Sequence, residues 1–142
     1  MNKDIFPRIF VVIRELAEVM LGDPDKTEKS IIRITQLTKA TGIHLIIASQ
    51  LASTNVLTGV IKANIPARIA FNTSTIEKSK VILDQPGAEK LQGKGDMLLL
   101  TFDSTVPLRL TSTYIKEDEL FRFVSENKAS EYHEMNKHDW SY

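Results

Sequence analysis

The chain contains no cysteine, which excludes disulfides and thiol-ligated zinc or iron–sulfur sites and fits a reducing, cytoplasmic compartment. It also lacks net charge: eighteen Lys and Arg balance eighteen Asp and Glu. No overall field therefore draws it to nucleic acid or to an anionic membrane, and any nucleic-acid contact has to be a local patch. Long hydrophobic runs are missing as well. The run that opens at Phe6 is broken by Arg14 and Glu15, too early for a signal or membrane-spanning segment, so a soluble product is expected. Three histidines, His44, His133 and His138, have no ligand spacing with other strong ligands, and no metal site is expected. The phosphate-binding signature G-x-x-x-x-G-K-[ST] is absent too. The one glycine turn of interest, GKGD at 93–96, runs into a strand, whereas cradling a phosphate needs backbone amides at the start of a helix.

What is present reads as one α/β domain. A chain of 142 residues with 42% hydrophobic content can bury one core; it is expected to occupy residues 1–128, with 129–142 a polar, loose tail. Ile9–Ile13 is an unbroken branched apolar run, the pattern of a strand covered on both faces. A helix follows, and another runs from Lys26 to Ala40, where Ile31, Ile34 and Leu37 recur at helical spacing between a capping Thr27 and a closing Gly42. IHLIIAS at 43–49 is a second buried strand that includes His44. Thr54 or Asn55 opens a helix that has to finish before Pro66. RIAF at 68–71, DMLLLT from 96 and PLRLTS from 107 read as strands; 74–84 and KEDELFRFVSENK read as helices. In the last helix Phe121 and Phe123 are two apart and point to different sides, so they make no stacking platform for single strands. The order is β-α-α-β-α-β-α-β-β-α, the alternation of a layered fold with parallel strands.

Several blocks in one order, TKATGIHLIIASQ, LTGVIKANIPARIAF and ILDQPGAEKLQGKGDMLLL, resemble the C-terminal part of the RecA-like motor domain of the FtsK/SpoIIIE family of DNA translocases, over about Phe6 to Val124. The resemblance implies a partial RecA-like P-loop NTPase fold, a mostly parallel sheet flanked by helices. It lacks the Walker A strand and loop. In the family that strand lies in the middle of the sheet; without it two edges are left unpaired, which invites aggregation or pairing with other chains.

The family pattern matches Arg14 and Glu15 to the aspartate–glutamate pair that orients magnesium and polarises the attacking water. Glu15 keeps the catalytic carboxylate. Arg14 reverses the sign of the metal anchor: a guanidinium has no lone pair to offer a cation or its waters. It can instead clamp a phosphate by bidentate hydrogen bonds, but the bridging of two phosphates by Mg²⁺ is then lost. Gln50 resembles the sensor of the γ-phosphate, although Leu51 and Ala52 replace the usual arginine and proline. Arg68 keeps its family identity and is a candidate to reach a neighbouring subunit's nucleotide, with a surface or interface salt bridge as the alternative. Lys80 stands where the family generally has arginine and keeps the charge without the planar fork.

The resemblance further implies ATP and Mg²⁺ as family cofactors, with none bound tightly by this chain alone. It implies a hexameric ring, of this chain or with FtsK-like subunits, around double-stranded DNA, in chromosome segregation at cell division or in plasmid transfer. Lys90, Lys94 and Arg109 are the candidate phosphate-backbone contacts, against the alternative of solvated surface charge; such contacts are insensitive to base sequence and steeply salt dependent. No sequence-reading module is matched after residue 128. Two outcomes stay open: a fragment of an ATP-driven translocase, inactive as an ATPase by itself, or a non-enzymatic module that associates with complete motor subunits.

Overall fold

A computed structural model describes residues 8–127 of the chain; His133, His138 and the stretch expected to be a loose tail lie outside them. Five strands and five α-helices form in the expected order, with one added turn of 3₁₀ helix. The chain divides after Ser112: the strands and four helices lie before it, and the last helix lies after it.

The branched run Ile9–Ile13 forms β1, and Ile43–Ile47 forms β2 parallel to it, with Ile9 opposite Ile43 and Ile13 opposite Ile47. Between them lie α1 (Leu16–Gly22) and α2 (Pro24–Thr41). The second of these begins two residues before the expected Lys26. Asp23 accepts a hydrogen bond from Lys26 N–H at 3.0 Å and Pro24 presets the first helical φ, so the cap falls on Asp23 and not on Thr27. Gly42, at φ 72°, closes it as expected. The helix expected from Thr54 or Asn55 starts later. Ser53 to Leu57 makes a turn held by Leu57 N–H to the Ser53 carbonyl at 2.9 Å, and α3 (Gly59–Asn64) opens on Thr58, whose hydroxyl oxygen accepts from Ile61 N–H.

The second half builds β3 (Arg68–Phe71), α4 (Ile76–Leu83), a 3₁₀ turn at Ala88–Lys90, β4 (Asp96–Leu100) and β5 (Leu108–Thr111). The parallel pairing expected of most of the sheet is confined to β1–β2. The other three strands pair antiparallel in the order β3-β4-β5: β4 and β5 are joined by a short turn, which rules out a parallel pair, and β3 and β4 by the longer segment through α4 and the 3₁₀ turn. Among the described residues no ladder joins β2 to β3. The described strands thus form two separate sheets, β1-β2 and β3-β4-β5.

Each sheet is clothed on one face. Leu45 and Ile47 pack on a core of Leu16, Met20, Ile31, Val56 and Ile61 contributed by α1, α2 and α3 and the turn between β2 and α3; Leu98 and Leu100 pack with Ala70, Leu83, Ala88 and Leu91 under α4 and the 3₁₀ turn. The opposite faces are bare. Val12 is 65% exposed, Ile46 51% and Phe71 55%. This corrects the expectation that β1 and β2 are covered on both sides: the helices of this segment all lie against one side, so the alternate residues meet solvent. His44 is therefore not buried. It is exposed on the bare face, stacked on Phe10 with ring centroids 5.0 Å apart.

Beyond Ser112, α5 (Glu117–Glu126) begins with Glu117, Asp118 and Glu119, which suit the positive end of the helix dipole, and Glu119 accepts from Lys116 N–H at 3.0 Å. Leu120, Phe121, Phe123 and Val124 are all exposed.

The one-sided core makes a clear energetic prediction. Leu16, 0% exposed, leaves a cavity when truncated, so Leu16→Ala should lower the unfolding free energy by roughly 2–5 kcal/mol. Val12→Thr on the bare face keeps the β-branch and should change it by no more than about 0.5 kcal/mol. Urea titration followed by circular dichroism separates the two; equal losses would contradict the assignment of faces.

Candidate functional site

The C-terminal ends of β1 and β2 lie side by side, and each delivers a short polar segment: Arg14 and Glu15 from β1, Ser49 and Gln50 from β2. In open α/β sheets this end of a parallel pair is where ligands bind. The ends are tied by two backbone hydrogen bonds, Ala48 N–H to the Ile13 carbonyl at 2.8 Å and Leu16 N–H to the Ala48 carbonyl at 3.0 Å.

Glu15 is the centre of this junction. Its extended backbone makes it the N-cap of α1, and its Oε1 accepts from Ala17 N–H at 3.1 Å. The same oxygen accepts from the Ser49 hydroxyl, and Oε2 accepts from Gln50 N–H at 2.9 Å. Three donors favour the charged form, so the carboxyl is held below its ordinary range, chiefly by the Ser49 hydroxyl and then by the Gln50 and Ala17 amides. A carboxylate so held stays ionised and fixed in direction. It suits polarising a water better than taking a proton.

The expected pair Glu15 and Gln50 is thus brought together, although through the Gln50 backbone. Its side chain is exposed. Arg14 sits beside Glu15, also exposed. Ser49 escaped the sequence reading. A small polar residue at a strand end is a weak signal, and its partner is 34 positions away.

The other candidates lie on the antiparallel half. Arg68 on β3 donates to Asp84 Oδ2 at 2.6 Å and to the Ile82 carbonyl at 2.9 Å. Asp84 also accepts from Lys62 Nζ on α3 at 2.6 Å, and these two cations hold its carboxyl below the ordinary range. Arg68 therefore takes part in a structural ion pair. Lys80 is exposed on α4.

Lys90 ends the 3₁₀ turn, Lys94 occupies the left-handed region at φ 52° in the turn before β4, and Arg109 lies on β5. Arg109 is engaged: its Nε and NH2 donate to Asp96 Oδ1 and Oδ2 at 3.0 and 2.7 Å, a bidentate fork on a buried carboxylate that also accepts from Gln92 N–H. Arg109 first, then the Gln92 amide, holds the Asp96 carboxyl down at about 2.

The residues present do not fit a magnesium–triphosphate complex. The glycine turn that would have to cradle phosphate leads from the 3₁₀ turn into β4 and is paired with the end of β5: Ser112 N–H donates to the Gly95 carbonyl at 2.8 Å, and a Cβ on Gly95 would come within 2.4 Å of the Ser112 oxygen. Its glycines serve a close approach of two backbones. Arg14 follows β1 with its guanidinium exposed, and among the described residues no cluster of three or more His, Cys, Asp or Glu could hold a metal.

The FtsK/SpoIIIE family profile matches residues 1–54. The chain is 48% identical over 124 residues to the DNA translocase FtsK of Tropheryma whipplei and 49% identical over 123 residues to that of Streptomyces avermitilis, in each case 87% of this chain. It spans only 17% and 14% of those relatives. Among solved structures it resembles the pCW3 conjugation coupling protein TcpA in its monomer form with ATPγS, at TM-score 0.72 and 30% identity over 90% of this chain and 39% of that one. It also resembles the cytoplasmic domain of the Type VII secretion ATPase EccC of Thermomonospora curvata, at TM-score 0.71 and 26% identity over 92% of this chain and 16% of that one.

The Arg109–Asp96 fork generates a pH prediction. A depressed carboxyl pKa contributes stability that is present above the unfolded value of about 4 and is lost as pH falls toward about 2. The urea midpoint should therefore fall between pH 4 and pH 2, with a shallower fall in Asp96→Asn. An identical slope in the variant would contradict the role of the fork.

Proposed function

Because the chain belongs to the FtsK/SpoIIIE family, we propose that it is the part of an ATP-dependent double-stranded DNA translocase motor that carries the water-polarising carboxylate and the strand-end sensor, and that it does not turn over ATP by itself. The observation that supports this most is the contrast at one end of the parallel pair. Glu15 is anchored by three donors from α1 and β2, while Arg14 beside it cannot anchor a metal and no phosphate loop stands nearby.

In this reading Glu15 and Gln50 face the γ-phosphate, and Arg14 removes the metal anchor, a smaller loss than that of the amide cradle. Arg68 and Lys80 belong to the face turned to a neighbouring subunit's nucleotide. Arg68 has to leave Asp84 to do so; Lys80 does not. Lys90, Lys94 and Arg109 contact the DNA backbone without base specificity, and multiplication of this small patch around a ring supplies affinity that a single copy lacks. The setting is a cytoplasmic motor assembled from FtsK-like subunits, moving DNA during chromosome segregation or plasmid transfer. Among the described residues no helix is long and apolar enough to cross a membrane. The bare sheet faces favour a second reading, that the chain acts without chemistry by joining complete motor subunits.

The purified chain with ATP, Mg²⁺ and double-stranded DNA should release no phosphate above the buffer rate, and Arg14→Asp should not change this, because the amide cradle is still missing. A steady, DNA-stimulated release by either protein overturns the proposal.

A further inference from the structure

We infer that Ser49 is a positioning residue for Glu15: its hydroxyl closes one side of the carboxylate and leaves a single oxygen site, on Oε2, at which a water can be held. The inference rests on the family reading above and names how the carboxylate of that same site is directed. Glu15 Oε1 accepts from Ala17 N–H at 3.1 Å and from the Ser49 hydroxyl, and Oε2 accepts from Gln50 N–H at 2.9 Å. An ionised carboxylate offers about four lone-pair sites. Three are therefore taken, both of those on Oε1 and one of the two on Oε2. Donors from two elements, α1 and the end of β2, also fix the plane of the group, which the capping bond to Ala17 alone would leave free to turn about its last torsion.

Two of the donors are backbone amides, which any residue other than proline supplies. The hydroxyl is the donor that the sequence selects. It donates to Glu15 although the Leu51 carbonyl lies 3.4 Å away. That is beyond the usual reach of an O–H donor, about 2.5–3.0 Å, so the carbonyl is no rival while the segment keeps its shape. A shift of residues 49–51 that shortens this contact takes the hydroxyl from Glu15 and reopens Oε1. Gln50, whose side chain is exposed, stands between Ser49 and Leu51. A group that draws on Gln50 therefore acts on both bonds from the end of β2, the amide to Oε2 and the hydroxyl to Oε1.

A carboxylate with one open site holds one water in one direction, which is what polarising an attacking water requires. With Oε1 reopened the water has two places, and the reacting geometry is divided between them. The hydroxyl also favours the charged form, so the carboxylate orients the water without removing its proton. The charged groups that flank Glu15 in the chain, Arg14 and Glu18, are exposed and are not among the causes that lower its carboxyl. Its titration therefore reports the donors.

The test uses the full chain labelled for NMR, unaltered and as Ser49→Ala and Ser49→Thr, with the Glu15 carboxyl followed by its carbon shift through an acid titration. The midpoint should rise toward the ordinary glutamate range in Ser49→Ala and stay low in Ser49→Thr, which keeps the hydroxyl. Exchange of the Gln50 N–H should quicken at least about threefold in the alanine variant only. A crystal structure of the unaltered chain should place the ordered water of this carboxylate on Oε2; a water on Oε1 overturns the inference. Loss of urea stability with titration and exchange unmoved would make Ser49 merely structural and overturns it too, as does a threonine variant that behaves as alanine. Should Ser49→Ala fail to fold, Ser49→Cys, similar in size but a weak donor, is measured in its place. None of these readouts needs turnover, so their failure leaves the motor reading standing. DNA-stimulated phosphate release by the unaltered chain overturns that reading and leaves the positioning in place.

Discussion

A parallel pair of strands clothed on one side is the constraint from which the other features of this molecule follow. Burial of Leu45 and Ile47 against α1, α2 and α3 fixes which residues of β1 and β2 point inward. That choice sends Phe10, Val12, His44 and Ile46 outward. It also aligns the two strand ends, so that the carboxylate leaving β1 meets the hydroxyl and amide leaving β2. The site is a by-product of register: sliding one strand by a single residue would turn the apolar set to solvent and part Glu15 from Gln50 N–H together.

Charge holds the two halves of the first unit in a second way. Asp84, at the left-handed end of α4, receives Lys62 from α3 and Arg68 from β3. It is more than half exposed, so each pair is worth little in stability, but together they specify geometry. Arg109 and Asp96 play the same part between β5 and β4, with a better-buried carboxylate. Two arginines that the family pattern offers for nucleotide or DNA thus also serve the fold, and any functional contact they make competes with an existing one.

The order of elements was legible in the sequence because branched runs, helical spacing and glycine stops are local signals. Burial was not. An apolar run such as Ile9–Ile13 says that both faces want cover, but whether the second cover lies within the same segment is settled by elements distant in sequence or absent from it. The start of α2 was misplaced because a Thr three residues inside competes on paper with Asp23 and Pro24, and only the hydrogen bond to Lys26 decides. The functional residues split in the same way. Glu15 stands out as the acidic residue closing a strand; Ser49, its hydroxyl partner, and Asp84, the anchor of Arg68, are visible only once chain segments far apart have met. A long-range ion pair likewise explains why Arg109 reads as an available cation and is found engaged, while for Arg68 the structure shows the salt bridge that was one of its two readings.

The central claim, that one edge and one face of the parallel pair are open, is tested most directly by amide hydrogen exchange of the chain alone, resolved residue by residue by NMR. His44 and Ile46, which donate toward β1, should exchange slowly, and Leu45 and Ile47, which donate outward, should exchange near the rate of an unstructured peptide. Equal protection of all four amides would mean that the edge is already paired and would contradict the account.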